Sequence, residues 1–403
     1  MHIAILTRQI GHYHDARYRG AAAVIEQVTV VSTTSQGGFA GFLAKENEGY
    51  GVRRLYGDRA SYDAALAGGR LRAALWQMLD DIAPDVLAVA GWSSAESAAG
   101  ILWAKQAGVP LVMLSESQAD DAGRSGLREL VKKRIVAQCG AALVGGPRHA
   151  GYIAQLGMAK GKIALGYNAV DNAHFEAGAA VARRSAVEMR AKLGLPEEYL
   201  LASARFIAKK NLPALVRAYA SVIGSAQGGP DLVILGDGDD RGQIEAAIGQ
   251  TGMEARVRLP GFRGYDDLPA YYGLACGFAH VSTVEQWGLV INEAMAAGLP
   301  IIASEPCGAT RTVIKDGESG IVTGTDEAAL VAGLRRFSEQ TAQERSKMGR
   351  AAARAISRWG PARFGAGLAE AAHMAQGAGP GRLLPWDRAV LARMCRANIA
   401  LVS

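Results

Sequence analysis

Residues 277–304 read GFAHVSTVEQWGLVINEAMAAGLPIIAS, and the fold is decided there. An apolar run of strand length, 277–283, gives way to a loop through Val284, Glu285, Gln286 and Trp287. Gly288 then opens a helix of about ten residues, closed by Gly298, and Pro300 starts a second buried run. Strand, helix and strand in so short a space is the repeating unit of an α/β protein.

Working outward, the same alternation covers almost the whole chain. HIAILT, VTVVST, DVLAVAG, PLVMLSE, AALVGG and KIALGY come first; YLLASAR, DLVILGD, VRLPG, GFAHVST, LPIIAS and GIVTG follow. Runs that are apolar throughout suit strands buried on both faces, as in parallel sheets covered by helices. Two sets of strands predict two doubly wound Rossmann-like domains, 1–168 and 169–375, with the break in GYNAVDNAHFEAG. A tail, 376–403, follows the Gly and Pro cluster HMAQGAGPGRLLP and should be a helix.

The 403 residues are 49% hydrophobic and 20% charged, a globular composition. No apolar run reaches the roughly 18 residues that span a bilayer. The start, MHIAILTRQIGHYHD, reads as a strand rather than a signal peptide, so a cytoplasmic location is expected. Cys139, Cys276, Cys307 and Cys395 are far apart and form no CxxC pair, which predicts neither disulfides nor a zinc site. The formal charge of +6 suits anionic ligands. It comes with no nucleic-acid motif.

In open parallel sheets ligands bind beyond the carboxyl ends of the strands, so residues just after strands are the candidates. Glu285 lies in such a loop, with Glu293 about one turn into the helix that follows. The backbone amides of Gly288, Leu289 and Val290 would point out of the helix N-terminus, which attracts anions. A phosphate there, with carboxylates on either side to accept from hydroxyls, describes a sugar nucleotide. In SARFIAKKN, Arg205 and Lys210 follow another strand and could hold a diphosphate. In LGDGDD, Gly236 and Gly238 allow a tight turn and close approach of a ligand. Asp237, Asp239 and Asp240 lack metal-loop spacing and read as a turn capping the next helix. A solvated loop and a helix-capping turn would account for any one of these alone.

Taken in order, the three elements resemble the donor-binding half of the retaining GT-B glycosyltransferases of family 4. The likeness is closest in EQWGLVINEAMAAGLPIIASEPCGATRTVIKDGESGIV, residues 285–322, and GYDDLPAYYGLACGFAHVS extends it. The resemblance implies that Glu293 binds ribose hydroxyls. It implies that Arg205, Lys210 and the amides near Leu289 and Val290 hold the diphosphate, and that Glu285 holds hydroxyls of the donor sugar. It also implies a cleft between the domains, no metal or other cofactor, and a tail that packs back on the first domain. Asn211 departs from the glycine often found after the lysine, which puts the shape of that loop in question.

The amino-terminal half resembles the family less. RQIGHYHDARYRG contains no GxGxxG, against a dinucleotide oxidoreductase. Gly11 could permit close approach, and His12, Tyr13 or His14 could line the cleft and orient an acceptor hydroxyl. Where many relatives have a histidine, this chain has VMLSESQADDAG, and Glu116 is the substitute candidate. Asp120 and Asp121 read as loop or capping residues. RSGLRELVKKRIV places Arg124, Arg128, Lys132, Lys133 and Arg134 on a helix that could dock an anionic membrane or a pyrophosphate-linked acceptor. A solvated helix face is the simpler reading of it.

The expected activity is transfer of a sugar, with retention, from a GDP- or UDP-type donor to a saccharide, lipid-linked or small-molecule acceptor. Polysaccharide, glycolipid or glycoconjugate synthesis would be its setting. The alternatives are a sugar-nucleotide-binding partner protein without turnover, or another GT-B activity such as epimerisation.

Overall fold

The computed structural model describes residues 1–34, 49–224, 229–378, 381 and 383–396. The chain forms two compact units. One comprises Met1–Val170 together with the chain from Trp359 onward, and the other is Asp171–Arg358.

The first unit holds seven parallel strands: β1 (His2–Thr7), β2 (Gln27–Ser32), β3 (Gly51–Arg54), β4 (Val86–Ala90), β5 (Leu111–Ser115), β6 (Ala141–Val144) and β7 (Ile163–Leu165). They lie in the order β3-β2-β1-β4-β5-β6-β7. Strand order reverses at β1, which has β2 on one side and β4 on the other. β3 was not foreseen. It is the edge strand, largely exposed, and its GVRR carries no apolar run to announce it.

The second unit holds six parallel strands: β8 (Tyr199–Ser203), β9 (Asp231–Leu235), β10 (Val257–Gly261), β11 (Gly277–His280), β12 (Ile301–Ser304) and β13 (Gly320–Thr323). Their order is β10-β9-β8-β11-β12-β13. Each of the six apolar runs read in this half contains one of these strands. The central strands are buried because helices cover them; Leu212, Leu215 and Ile244 pack with Leu200, Leu232, Ile234 and Ala279. Both sheets are thus the doubly wound Rossmann-like kind.

The tail departs from expectation. The chain rejoins the first unit at Trp359 rather than at 376. Gly360 and Pro361 start a helix, Pro361–Gln376, with proline in its first turn where no amide hydrogen is needed. Its Phe364, Leu368, Ala371 and Ala372 cover one sheet face, against Ile3, Ile5, Val86 and Val112. A second helix, Pro385–Met394, puts Leu391 and Met394 into the core on the other face. Residues 397–403 of the expected tail helix lie outside the described residues. At the other junction a helix already begins at Asn172, capped by Asp171, and breaks at Ser185 before a second one, Ala186–Leu193.

The helix Pro361–Gln376 lies backbone to backbone on the helix His12–Ala22, because a Cβ at Gly365 would collide with the Gly20 carbonyl oxygen. Gly365→Ala is expected to lower stability by about 1–3 kcal/mol through overpacking. Gly151→Ala, in the helix Pro147–Gln155 with open space around its Cβ, should raise stability by about 0.5–1 kcal/mol. Urea unfolding of the two variants checks the pair; equal midpoints would refute the close contact.

Candidate active site

In the second unit the segments leaving β8, β9 and β11 crowd together at the carboxyl edge. After β8, a single 3-10 turn, Ala208–Lys210, leads into the helix Leu212–Tyr219. Asn211 between them is left-handed, at φ 58° and ψ 28°, a region that asparagine tolerates better than most side chains. Its amide donates to the Thr325 carbonyl at 2.8 Å. The loop therefore adopts a conformation open to glycine, and the departure at this position is harmless to its shape.

Gly236 and Gly238 both have positive φ, and a Cβ on either would run into the backbone between Ala204 and Phe206. The Phe206 amide donates to Asp237, and the Asp240 amide donates back to Phe206. These glycines are explained by loop packed on loop, so the close approach anticipated there is made by the protein's own backbone. Asp240 occupies the N-cap of the helix Arg241–Thr251 without a capping side-chain bond, contrary to expectation. Its carboxylate accepts from Gln243 instead.

After β11 the chain passes through Glu285 and the buried Trp287, whose indole donates to Asn292 at 2.9 Å. Gly288, at φ 93°, turns it into the helix Leu289–Ala296, shorter than expected. Among the described residues the amides of Leu289 and Val290 have no partner, while that of Ile291 donates to Gly288.

The Glu285 side chain is only 13% exposed and pairs with Lys210. Lys209 Nζ lies 3.7 Å from its Oε1, and His280 Nε2 lies 3.7 Å from its Oε2. Burial works against ionisation of Glu285, but the His280 ring and the Lys210 ammonium prevail and hold its carboxyl well below the usual range. His280 itself is driven down by burial, with the lysines adding and Glu285 opposing, so its ring is neutral. Arg205 is exposed and has no polar partner among the described residues.

Glu293 is completely buried, and Tyr272 donates to its Oε2 at 2.6 Å. A ligand hydroxyl can reach it only if the side chains above give way. Lys209, His280 and Tyr272 were not singled out in the sequence. A histidine inside the apolar run GFAHVST was the available signal for one, and the second lysine of KKN for another.

In the first unit, the expected loop at 11–14 is mostly helix: Gly11 is the N-cap of His12–Ala22, at φ −100°, where no glycine is required. His14 Nδ1 accepts from the Gly11 amide at 3.4 Å, so that nitrogen is spent on its own helix. Burial, with Arg17 adding to it, lowers the His14 ring to about 3. His12 stands at the first position of the helix. Glu116 follows β5 and accepts from Asn168 at 2.8 Å.

Two cations of the basic helix Gly126–Val136 are paired, one within the helix and one with the helix Pro385–Met394. Lys132 pairs with Glu129, and Arg134 grips Asp387 with two nitrogens at 2.8 and 2.6 Å. Just before it, Arg124 meets Asp121. Asp120 lies 3.8 Å from Arg148, so both aspartates tie down loops. Among the described residues no three His, Cys, Asp or Glu side chains are grouped to hold a metal, and no helix is long and apolar enough to cross a membrane.

Residues 186–355 match the family described as glycosyl transferases group 1. That match lies within the second unit, and the two Rossmann-like sheets are those of the GT-B fold. The α-D-kanosaminyltransferase of Streptomyces kanamyceticus is 33% identical over 144 residues, 35% of this chain and 36% of that protein. The lipopolysaccharide core biosynthesis glycosyltransferase LpsE of Rhizobium meliloti (strain 1021) is 29% identical over 167 residues, 41% of this chain and 46% of that one. The chain spans less than half the length of either relative. The structure of Anabaena HepE with UDP and glucose superposes with a TM-score of 0.71 at 20% identity, covering 92% of this chain and 98% of that one. At such identity the likeness shows the fold alone.

Two rings, the buried His280 and the partly buried His14, contribute to the acid stability. Unfolded, His14 and His280 take up protons near 6.5, whereas folded they resist. Their contribution is present above pH 6.5 and lost as pH falls; Glu285 adds a loss in the same direction below 4.5. The urea midpoint should therefore drop between pH 7 and pH 5. His14→Gln should flatten that slope; an unchanged slope would refute the assignment.

Proposed function

We propose that the chain transfers a sugar from a nucleoside diphosphate sugar to an acceptor hydroxyl, with retention at the sugar carbon. The observation that carries this is the convergence of Lys210, Lys209 and the open amides of Leu289 and Val290 around Glu285 in the group 1 domain. An anion-binding helix end and mobile cations suit a diphosphate. A carboxylate kept ionised among them suits the hydroxyls of the attached sugar.

In this proposal Arg205, Lys210 and the helix amides stabilise the charge that grows on the diphosphate as its bond to the sugar carbon breaks. The acceptor oxygen bonds to the same face of that carbon, and its proton passes to the departing diphosphate. Glu285 positions the sugar. Glu293, steadied by Tyr272, accepts from the ribose once exposed. His12 and Glu116 belong to the acceptor side, whereas His14 serves its own helix.

UDP is the first base to try, because the HepE structure contains it. The acceptor classes are a saccharide, a lipid-linked saccharide or a small metabolite, and LpsE by its name acts on a lipopolysaccharide core. The reaction is assigned to the cytoplasm. Leu127 and Leu130, 71% and 49% exposed on the basic helix, are the part that could touch a membrane.

Thermal shifts with UDP, GDP, ADP and TDP test the donor site, since a ligand stabilises in proportion to the logarithm of its concentration over Kd. One diphosphate should raise the melting temperature of the wild type and do so much less in Lys210→Ala and Glu293→Ala. No shift with any of them would overturn the proposal. The mechanism requires no metal, so slow hydrolysis of the matching sugar nucleotide should survive EDTA; loss of turnover on chelation would refute that part.

A further inference from the structure

Glu285 has more partners than a single ion pair requires. Lys210 pairs with it directly, Lys209 approaches its other oxygen at 3.7 Å, and His280 Nε2 stands 3.7 Å from Oε2. His280 is 3% exposed, at the end of β11, and its Nε2 also lies 3.2 Å from the Ser282 hydroxyl. That ring would be crowded by any side chain at 288: a Cβ there would sit 3.3 Å from Nε2 and 3.5 Å from the Glu285 Cγ. Gly288 thus leaves open the space in which ring and carboxylate meet.

Lys210 cannot stay where it is and also serve a diphosphate at full strength. An ammonium drawn to two phosphates leaves its former partner, and a largely buried carboxylate without a partner is costly. A flexible acid would then swing away from the sugar it should hold. We propose that His280 and Lys209 are positioning residues for Glu285, keeping its carboxylate in place when Lys210 turns to the donor's diphosphate. The buried His280 ring, its Nε2 3.7 Å from Oε2, does this from the protein side as the carboxylate closes on it; the part-exposed Lys209, held by its carbonyl to the Thr283 amide at 2.8 Å, does it from the solvent side. This rests on the donor site proposed above, and it assigns sugar recognition to two residues that never touch the sugar.

The test separates sugar from nucleotide. Calorimetric Kd values are compared for UDP against UDP-glucose, or for GDP against GDP-mannose, whichever pair the wild type binds. His280→Leu removes the ring nitrogens. His280→Gln restores an amide N–H near the place of Nε2. Lys209→Ala is a variant at a part-exposed position that leaves the core intact, so the test survives if the leucine variant does not fold. His280→Leu should weaken the sugar nucleotide by about tenfold while changing the bare diphosphate less than about twofold, and His280→Gln should recover most of the loss. Lys209→Ala should show the same selectivity at about two- to fivefold. Equal weakening of both ligands, no weakening of either, or no recovery by glutamine would overturn the proposal. A wild type that binds none of the UDP, GDP, ADP or TDP pairs would have a different signature, and would remove the donor site and this inference together.

Discussion

The carboxyl edge of the second sheet is organised by one requirement: the Glu285 carboxylate, withdrawn from water, must keep a cation beside it. Removing one partner of a buried pair costs about 3–5 kcal/mol, far more than the pair adds over an apolar contact. Lys210 therefore has to be delivered to Glu285 from another strand, and the architecture of the edge follows. The β8 loop is drawn over to the β11 loop by the Thr283 amide, which bonds to the Lys209 carbonyl. The β9 loop is pressed against the same segment so closely that only glycine fits at 236. Three loops that diverge in sequence are thus tied into one surface.

That surface is rich in positive charge. Arg205, Lys209 and Lys210 stand within six residues of one another, and Glu285 is the acid among them. The helix Leu289–Ala296 adds the partial positive charge of its N-terminus. Lys210 is paired with Glu285, and Lys209 and His280 each stand 3.7 Å from its oxygens, so the carboxylate does not depend on one neighbour alone. Glu293 stands apart from this cluster. Buried under its helix and bound by Tyr272, it belongs to the rigid part of the domain until something displaces its cover.

How far the sequence disclosed all this depends on the length scale of each feature. Twelve strands were legible because each lies in an apolar stretch, continuous where the strand is covered on both faces; β3 was not, since its exposed GVRR has no such stretch. The Glu285 to Glu293 segment was legible because its glycine and its apolar run sit at fixed spacing on one local unit. What pairs with what was hidden. Lys210 meets Glu285 through strand order, β8 beside β11, and no local pattern encodes that adjacency. His14 misled for the opposite reason. A histidine at a strand's carboxyl end has the right address for chemistry, yet its nearest polar partner was three residues away on its own helix.

The domain boundary misled in a similar way. Gly and Pro cluster at 377–381, which reads as a stop, while the decisive signal was the shorter Gly360-Pro361. Proline there permits a helix to begin rather than end, because it sits where the amide is not used. The consequence reaches through the first unit. Its sheet emerges early, with Ile3, Ile5, Val86 and Val112 on one face, but the residues that cover that face, Phe364 and Leu368, come from the far end of the chain. The second unit, by contrast, is continuous from Asp171 to Arg358. Within it the Asn172 amide bonds to the Ile356 carbonyl at 2.9 Å, so the two points where the chain crosses lie side by side. A domain whose core is closed only by the last segment cannot be complete until that segment arrives. The second unit carries no such debt to the rest of the chain, which is why its motifs could be read locally and the other unit's could not.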